Sequence, residues 1–322
     1  MFSYIESKMK LTQVSIETDK VIESDVQVIF FRYSNNGRFI LSQLRNKNLC
    51  ILNADNLNIC ANIEFNGEVK NIIFSPDDKY AVCIKSNIIT LVDIESSRII
   101  ENINFLDIIP EVLFTLDSTK LVIFTSTYVL VFNTSDFSQI KREVIEYETS
   151  CKDVKIVYNN NLDVTIIILL DHILIFDMKI FEVIERFNRP KIFLDSSNLY
   201  LTDNMDIICC IDGGVHIFSI NKHREIVKNR KLNDFNFCVE NDTLIGINRT
   251  NVNIYDLKTF QLIRNKKIRS LYRFVSNNKY LISNEFCGVT VIYNIETFEP
   301  IKVLSSPETL KSLYQFRPNI IL

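Results

Sequence analysis

The side chains that most often do chemistry in proteins are sparse in this sequence and poorly spaced for it. Histidine occurs only at positions 172, 216 and 223, so no two histidines have the spacing of a helical zinc site. The eight cysteines include no Cys-x-x-Cys pair, and most lie in apolar, strand-like runs. That placement is typical of buried, reduced thiols. We therefore expect no metal and no cofactor.

Motifs for nucleophilic catalysis and for phosphate binding are also missing. No Gly-x-Ser-x-Gly elbow occurs, and the pair Gly213-Gly214 is followed by neither the Lys nor the Ser/Thr of a phosphate-binding loop. The glycine pair separates two strand-like runs, which is typical of a hairpin turn. Because a catalytic triad can assemble from residues far apart in sequence, an enzyme stays open as a third alternative.

Apolar residues in two loop-like segments are the first candidates for binding. The segment Asn188–Ser196 contains Ile192, Phe193 and Leu194, and the shorter segment Phe105–Pro110 contains Ile108 and Ile109. Apolar side chains on a loop are typical of an interaction anchor. They could equally fold inward and plug the centre of the molecule, and the sequence does not choose between the two roles.

A local excess of positive charge is the second candidate. Residues 221–279 hold thirteen Lys and Arg against five acidic residues, whereas the whole chain has a net charge of −3. The candidate residues of this basic stripe are Lys222, Arg224, Lys228, Arg230, Lys231, Arg264, Lys266, Lys267 and Arg269. Such a stripe suits RNA phosphates or an acidic protein. The alternative is that the cations protect outer strand edges against edge-to-edge pairing.

The elements that must position these residues repeat along the chain. An aromatic residue ends a short apolar run at positions 33, 74, 114, 158, 200, 237, 274 and 316. A polar residue ends a later run at positions 15, 53, 93, 133, 177, 219, 256 and 294. Each aromatic is followed by the next polar marker after 19 or 20 residues in all seven complete cases. Turn-forming residues such as Ser75-Pro76-Asp77-Asp78 follow the aromatics, so the frame predicts successive antiparallel strands.

A period near 40 residues with four strands per repeat predicts a β-propeller, because radially packed sheets bury both apolar faces of every blade. We expect an all-β, single closed ring of about eight blades, with seven as the alternative. The whole chain, 1–322, is predicted to be one domain. Residues 1–25 and 305–322 are predicted to form a composite closing blade from the two ends of the chain.

The repeat resembles the WD-repeat family. Phe74-Ser-Pro-Asp-Asp-Lys-Tyr80 with Leu91-Val-Asp93 carries the resemblance, and Tyr33–Phe39 and Ile254-Tyr255-Asp256 are similar. The family's Trp before the Asp is replaced here by Leu, Val, Phe or Tyr, and its Gly-His pair is absent, so its side-chain network is not carried over. The resemblance implies a ring that serves as a scaffold for assembling other proteins.

The expected function is therefore a non-enzymatic interaction scaffold that binds partner proteins through loops on one face of the ring, within a larger assembly. The alternative is a propeller associated with ribosomes or ribonucleoprotein that uses the basic stripe, and the third is an enzyme with a site in the central channel. The longest apolar run, Val164–Leu170, is too short to cross a bilayer, and Met1–Val14 contains no secretory apolar segment. We expect a soluble protein of the cytoplasm or nucleus that does not engage a membrane.

Overall fold

The structure is a computed structural model, and it describes the residues that follow. They are 2–5, 10–14, 21–105, 111–125, 127–145, 154–159, 162–169, 171–189, 199–211, 214–222, 224–229, 236–240, 243–247, 251–257, 259, 261–267, 271–276, 280–285, 289–305 and 314–316. Every regular element among them is a β-strand. In this part of the chain no helix has the length and apolar character needed to span a membrane.

Seven antiparallel sheets follow one another along the chain as the blades of a β-propeller. Blade 1 has seven strands in the order β31-β1-β2-β3-β4-β5-β6. Its strands are β1 (Phe2–Ile5), β2 (Lys10–Val14), β3 (Val21–Tyr33), β4 (Phe39–Leu44), β5 (Leu49–Asn53), β6 (Ile59–Ile63) and, from the other end of the chain, β31 (Tyr314–Phe316).

The other six blades have four strands each, paired in sequence order. Blades 2 and 3 contain β7 (Asn71–Phe74), β8 (Tyr80–Lys85), β9 (Ile88–Asp93), β10 (Arg98–Asn104), β11 (Glu111–Phe114), β12 (Lys120–Phe124), β13 (Tyr128–Asn133) and β14 (Gln139–Val144). Blades 4 and 5 contain β15 (Lys155–Asn159), β16 (Val164–Ile168), β17 (His172–Asp177), β18 (Glu182–Asn188), β19 (Leu199–Leu201), β20 (Asp206–Ile211), β21 (Gly214–Ser219) and β22 (Arg224–Asn229). Blades 6 and 7 contain β23 (Asn236–Glu240), β24 (Thr243–Ile247), β25 (Asn251–Asp256), β26 (Leu262–Lys267), β27 (Leu271–Ser276), β28 (Tyr280–Glu285), β29 (Val289–Asn294) and β30 (Pro300–Ser305).

The expected closure by both chain ends is confirmed, but the count of eight separate blades is wrong and the alternative of seven matches. Strand β31 pairs with β1 through Phe316 opposite Phe2, which joins the two ends of the chain. The predicted closing blade does not stand alone, because β3 continues without interruption from it and pairs onward with the sheet of β4, β5 and β6. Its first half pairs with β2 and its second half, from Val28, pairs with β4. One long strand thus fuses two predicted blades into one sheet.

The polar markers are confirmed as the ends of the third strands in the sheets that the structure describes there. β5, β9, β13, β17, β21, β25 and β29 end at residues 53, 93, 133, 177, 219, 256 and 294. The marker side chain caps the turn that follows: Asp93 Oδ1 accepts the Ser96 N–H, and Asp177 Oδ1 accepts the Lys179 N–H. Asn and Asp recur here because a short polar side chain can satisfy its own turn.

The aromatic markers are less regular than the sequence predicts. β7 and β11 end at Phe74 and Phe114, but β23 and β27 run on past Phe237 and Phe274 to Glu240 and Ser276. Blades 6 and 7 leave only residues 241–242 and 277–279 between their first and second strands, whereas blade 2 leaves 75–79. In blades 6 and 7 the aromatic therefore falls inside the first strand and does not end it.

Apolar clusters between neighbouring blades form the core. One cluster joins blades 3 and 4 and includes Phe124 and Phe176, whose rings meet edge to face at 5.8 Å. The middle strands β8, β12, β16 and β17 each bury four consecutive residues. Burial on both faces is what radial stacking of sheets requires.

The fourth strand of every blade carries the same irregularity. The ladder between third and fourth strands shifts register once in each blade, which leaves one bulged residue. The bulged residues are Cys60, Ile100, Ile140, Ile184, Ile226, Ile263 and Ile301. A bulge at an outer strand twists the edge away from regular pairing, so the rim of the ring is protected against edge-to-edge association.

Candidate interaction surfaces

The antiparallel order of the strands gives the ring two unlike faces. Turns from first to second and from third to fourth strands lie at one end of each blade, which we call the turn face; in blade 2 they are residues 75–79 and 94–97. Turns from second to third strands and the connections to the next blade lie at the other end, the connection face; in blade 2 these are residues 86–87 and those after Asn104.

The two apolar segments predicted to bind a partner leave the ring at the connection face. The Phe105 N–H donates to the carbonyl of Asn87 in the second-to-third turn of blade 2 at 2.8 Å. In blade 4 the Arg189 N–H donates to the carbonyl of Asp171 at 2.7 Å. Both departures are therefore fixed to a turn on the same face. The candidate residues themselves, Ile108, Ile109, Ile192, Phe193 and Leu194, lie outside the described residues.

The connection from blade 1 to blade 2 shows how rigid this face is where its residues are described. The Gln43 side chain donates to the Gly67 carbonyl at 2.5 Å and accepts the Val69 N–H at 2.8 Å. The Lys85 ammonium donates to the Asn66 carbonyl at 2.6 Å. Gly67 has φ +126°, and a Cβ there would lie 2.1 Å from the Lys85 side chain. The Lys85 side chain could move aside, but a φ of +126° favours glycine at this position. The repeat frame did not predict the buried role of Gln43.

Hydrogen bonds from blade to blade hold the turn face together. The Asp78 carboxylate accepts the N–H groups of Asn35 and Asn36 in blade 1, at 2.6 and 2.7 Å. The Asn159 amide of blade 4 donates to the Leu201 carbonyl of blade 5 at 3.0 Å. The Asp78 bonds join the first-to-second turns of blades 1 and 2, and the Asn159 bond joins the ends of the first strands of blades 4 and 5, so bonds between blades fix this rim.

Acidic side chains dominate this rim, and their surroundings set their ionisation. The Thr115 hydroxyl, followed by the Thr119 N–H, holds the pKa of Asp117 below its usual range. Burial raises the pKa of Asp78, against the opposing effect of the two N–H groups that it accepts. Asp117 is therefore a firmly ionised carboxylate at the surface, and Asp78 is a structural one.

A groove opens on the turn face between blades 3 and 4. It is shallow and open to solvent, and the space within it has a volume of about 20 Å³, room for about one water-sized group. Its lining residues are Leu113, Phe114, Thr115, Leu116, Tyr158, Asn159, Asp163, Val164, Thr165 and Met178. Leu116 is 50% exposed and Tyr158 is 47% exposed at the surface of the protein. Asp163 pairs with the Lys179 ammonium at 3.0 Å.

Burial shifts the pKa values of two ionisable groups on the inner strands of blades 3 and 4. Burial raises the pKa of the Tyr158 phenol, with a further rise from Glu111 and a lowering by Arg32. Burial also raises the pKa of Glu111. A phenol with a raised pKa is a weaker nucleophile at neutral pH, because less of it is phenolate. Among the described residues no group of three His, Cys, Asp or Glu side chains is placed to hold a metal ion.

The basic stripe falls on the outermost strands of consecutive blades as far as it is described. β22 and β26 are the fourth strands of blades 5 and 6. Arg264 and Lys267 are exposed, as is Lys222 in the turn before β22. Lys266 instead donates to the Phe298 carbonyl of blade 7 at 2.8 Å. The side chains of Arg224 and Lys228 and all of Arg230, Lys231 and Arg269 lie outside the described part.

Comparison with known proteins relates the chain to others through its fold alone. No family model and no curated protein sequence matches it. A solved structure of a eukaryotic initiation factor superposes with a TM-score of 0.70 at 11% identity, covering 98% of both chains. Sqt1 of Saccharomyces cerevisiae superposes with a TM-score of 0.64 at 10% identity, covering 87% of this chain and 85% of that one.

A similar structure also occurs in an enzyme. The dihydro-heme d1 dehydrogenase NirN, in complex with DHE, superposes with a TM-score of 0.66 at 10% identity. The match covers 85% of this chain and 64% of that chain. Identities this low show a shared β-propeller and carry no function with them.

Proposed function

We propose that this protein is a non-enzymatic, WD-repeat-like scaffold of the cytoplasm or nucleus that binds partner proteins within a larger assembly. Binding takes place at the connection face, through the segments that contain Ile108 and Ile109 and Ile192 to Leu194. The proposal takes its support from the fold and from the anchoring of those segments. A closed ring is a rigid scaffold, and the residues that bind partner molecules commonly lie on the loops of such a scaffold.

The observation that carries the proposal is the pair of hydrogen bonds from Phe105 to Asn87 and from Arg189 to Asp171. Each fixes the start of an apolar segment to a turn of its own blade. An anchored loop loses less conformational entropy when it binds than a free one, so its apolar residues make stronger anchors. Both segments begin on one face, which allows one partner to contact them together.

The test changes Ile192 and Phe193 to Asp and captures partners from native extract. We expect the variant to lose its partner while its melting temperature stays within a few degrees of the parent, because a single kcal/mol shifts melting of a large domain by only ~2–4 °C. Ile140→Asp is the control, since Ile140 is a half-exposed bulge residue on the outer wall. A fall of many degrees in the first variant alone would identify Ile192 and Phe193 as core residues and refute the proposal.

Binding to ribonucleoprotein is the second candidate, favoured by the exposed Arg264 and Lys267 on β26. The same capture repeated with nuclease separates the two, because an RNA-bridged partner is lost and a directly bound protein is kept. Phosphate contacts also weaken steeply with salt. Affinity that stays constant between low and high ionic strength would exclude the basic stripe as the main determinant.

A further inference from the structure

The groove between blades 3 and 4 contains a buried hydroxyl that has no partner. Thr165 is completely buried and lines the groove. Its Oγ1 has no hydrogen-bond partner among the described residues. In the ladder Thr165 lies opposite Tyr158 of β15 and Phe176 of β17, so the three side chains share the side of blade 4 that faces blade 3. A buried polar group without a partner is expensive, and such groups are rare in natural proteins.

The same position in the other blades is apolar. Thr165 pairs with the residue that precedes the polar marker of the third strand. The residues in that position elsewhere are Ile40, Ala81, Leu121, Ile207, Leu244 and Leu281. All six are buried. The ring therefore accepts an aliphatic residue at this position, and the hydroxyl is specific to the blade that borders the groove.

The charge around the groove is negative. The turns that surround it on the turn face are 75–79, 115–119, 134–138, 162–163, 178–181 and 202–205. Together they contain six aspartates, at 77, 78, 117, 136, 163 and 203, and two lysines, Lys79 and Lys179. The Lys179 ammonium forms an ion pair with the Asp163 carboxylate at 3.0 Å, so it neutralises one of these aspartates. An anionic ligand would be repelled from this surface and a cationic one attracted.

We propose that a lysine or arginine side chain from a basic segment of a partner protein docks across the mouth of this groove. The aliphatic stem of such a side chain matches Leu116, Val164 and Met178, and its charged head needs acceptors. Asp163 supplies a carboxylate and the half-exposed Tyr158 ring offers a face to a cation, while the Thr165 hydroxyl, buried in the groove wall, becomes an acceptor once the lining side chains open around the ligand.

Lys179 shows that an ammonium group can reach the Asp163 carboxylate from solvent. Its side chain is 73% exposed, and a surface pair of this kind is weak enough to be displaced. The incoming cation takes the place of Lys179 on Asp163. The site is on the face opposite the apolar segments, so it is a second docking surface and does not rest on the connection-face proposal.

The first test measures fluorescence anisotropy of a labelled six-residue peptide that alternates lysine and alanine. We expect saturable binding, and Asp163→Asn should weaken it about fivefold, the range that a charge-assisted contact supports. Asn is suited to this position because Asp163 has φ +49°, a conformation that Asn tolerates well. The matched control is Asp136→Asn, which removes the same charge from a surrounding turn at a residue that does not line the groove and should change affinity less than about twofold.

Two further variants test the remaining parts of the site. Lys179→Ala removes the competing ammonium and should tighten binding of the peptide. Leu116→Ala should weaken it, whereas Ile184→Ala, which removes a similarly exposed side chain from the outer wall, should not.

Several results would overturn the proposal. Equal losses in Asp163→Asn and Asp136→Asn would mean attraction to the whole face and no groove site. No saturation up to millimolar peptide, or equal binding of a peptide with glutamate in place of lysine, would also overturn it. So would binding of a labelled uridine hexamer at this face. None of these results bears on the Ile192 and Phe193 experiment, so the two proposals fail separately.

Discussion

Replacing Thr165 with Val tests directly whether its hydroxyl is unsatisfied in the free protein. Valine has the same branched shape, so it fills the same volume in the wall of the groove. The substitution removes a buried oxygen that has no hydrogen-bond partner among the described residues. Six equivalent positions already hold Ile, Ala or Leu, so the surrounding packing tolerates an aliphatic side chain.

The magnitude follows from the state of the hydroxyl. A buried polar group left without a partner costs about 1–3 kcal/mol. The added methyl group contributes at most ~0.8 kcal/mol of hydrophobic burial. We therefore expect Thr165→Val to raise the free energy of unfolding by roughly 1–3 kcal/mol.

The matched control is Thr134→Val, the same substitution at another buried threonine. The Thr134 hydroxyl donates to the Ser118 carbonyl at 2.8 Å. Loss of that bond should lower the free energy of unfolding by about 1 kcal/mol. The assay is urea denaturation, in which the midpoint should rise for Thr165→Val and fall for Thr134→Val at an unchanged slope. If both variants are destabilised alike, the Thr165 hydroxyl has a hydrogen-bond partner and the reasoning fails.

Two further predictions concern carboxylates. Asp78→Ala removes the acceptor of two N–H groups from blade 1 at a residue with φ +60°, so it should lower unfolding stability by about 2–4 kcal/mol, whereas Asp136→Ala at the exposed rim should have little effect in the same urea titration. Burial raises the pKa of Glu111, so its stabilising contribution is fully present below the unfolded-state pKa of about 4.3 and is lost as pH rises through the higher folded-state value. Urea midpoints at acidic and neutral pH should then show wild type losing stability relative to Glu111→Gln as pH rises, and parallel profiles would contradict this assignment.

The strand repeat of the propeller can be predicted from sequence because the polar residues that end the third strands stabilise turns next to them. Asp93, Asp177 and Asp256 recur at one position because each caps the turn after a third strand with its own carboxylate. That requirement is short-range, so it leaves a periodic trace in the sequence. The closure by chain ends follows from the same trace, because the partial repeats at the two ends complement each other.

The count of blades is harder to predict because it depends on whether a strand stops. Residues 21–33 contain turn-compatible polar residues at Ser24 and Asp25, and the sequence favours a break there. The Ser24 hydroxyl instead accepts the Leu11 N–H at 3.0 Å and donates to the Val26 carbonyl at 2.8 Å. Those bonds give the Leu11 N–H and the Val26 carbonyl their hydrogen-bond partners where the pairing of β2 with β3 is irregular, so β3 continues. Whether β3 ends or continues is decided by hydrogen bonds between residues distant in sequence, and a periodic sequence pattern does not predict such bonds.

The candidate surfaces also include some that the sequence predicts and some that only the structure shows. Apolar residues in a loop-like segment, such as Ile192 and Phe193, can be proposed as candidates from sequence and stay a prediction, whereas the groove depends on turns from two blades that are about 40 residues apart. The structure adds that groove, the inter-blade bonds of Asp78 and the buried role of Gln43. A signal for Thr165 was present, since aligning the second strands in the repeat frame places one threonine among aliphatic residues.

A repeated ring makes such a departure informative, because the same structural position has been filled several times under nearly the same packing demands. At the position of Thr165 the six equivalents show that an aliphatic side chain satisfies the fold. A hydroxyl that only weakens the fold there needs another reason to persist, and residues that bind ligands often lower stability for the sake of function. The groove proposal therefore requires Thr165→Val to move two quantities in opposite directions: unfolding stability rises, and affinity for the lysine peptide falls. A variant that gains stability and binds the peptide unchanged would leave Asp163 as an acceptor but remove Thr165 from the site.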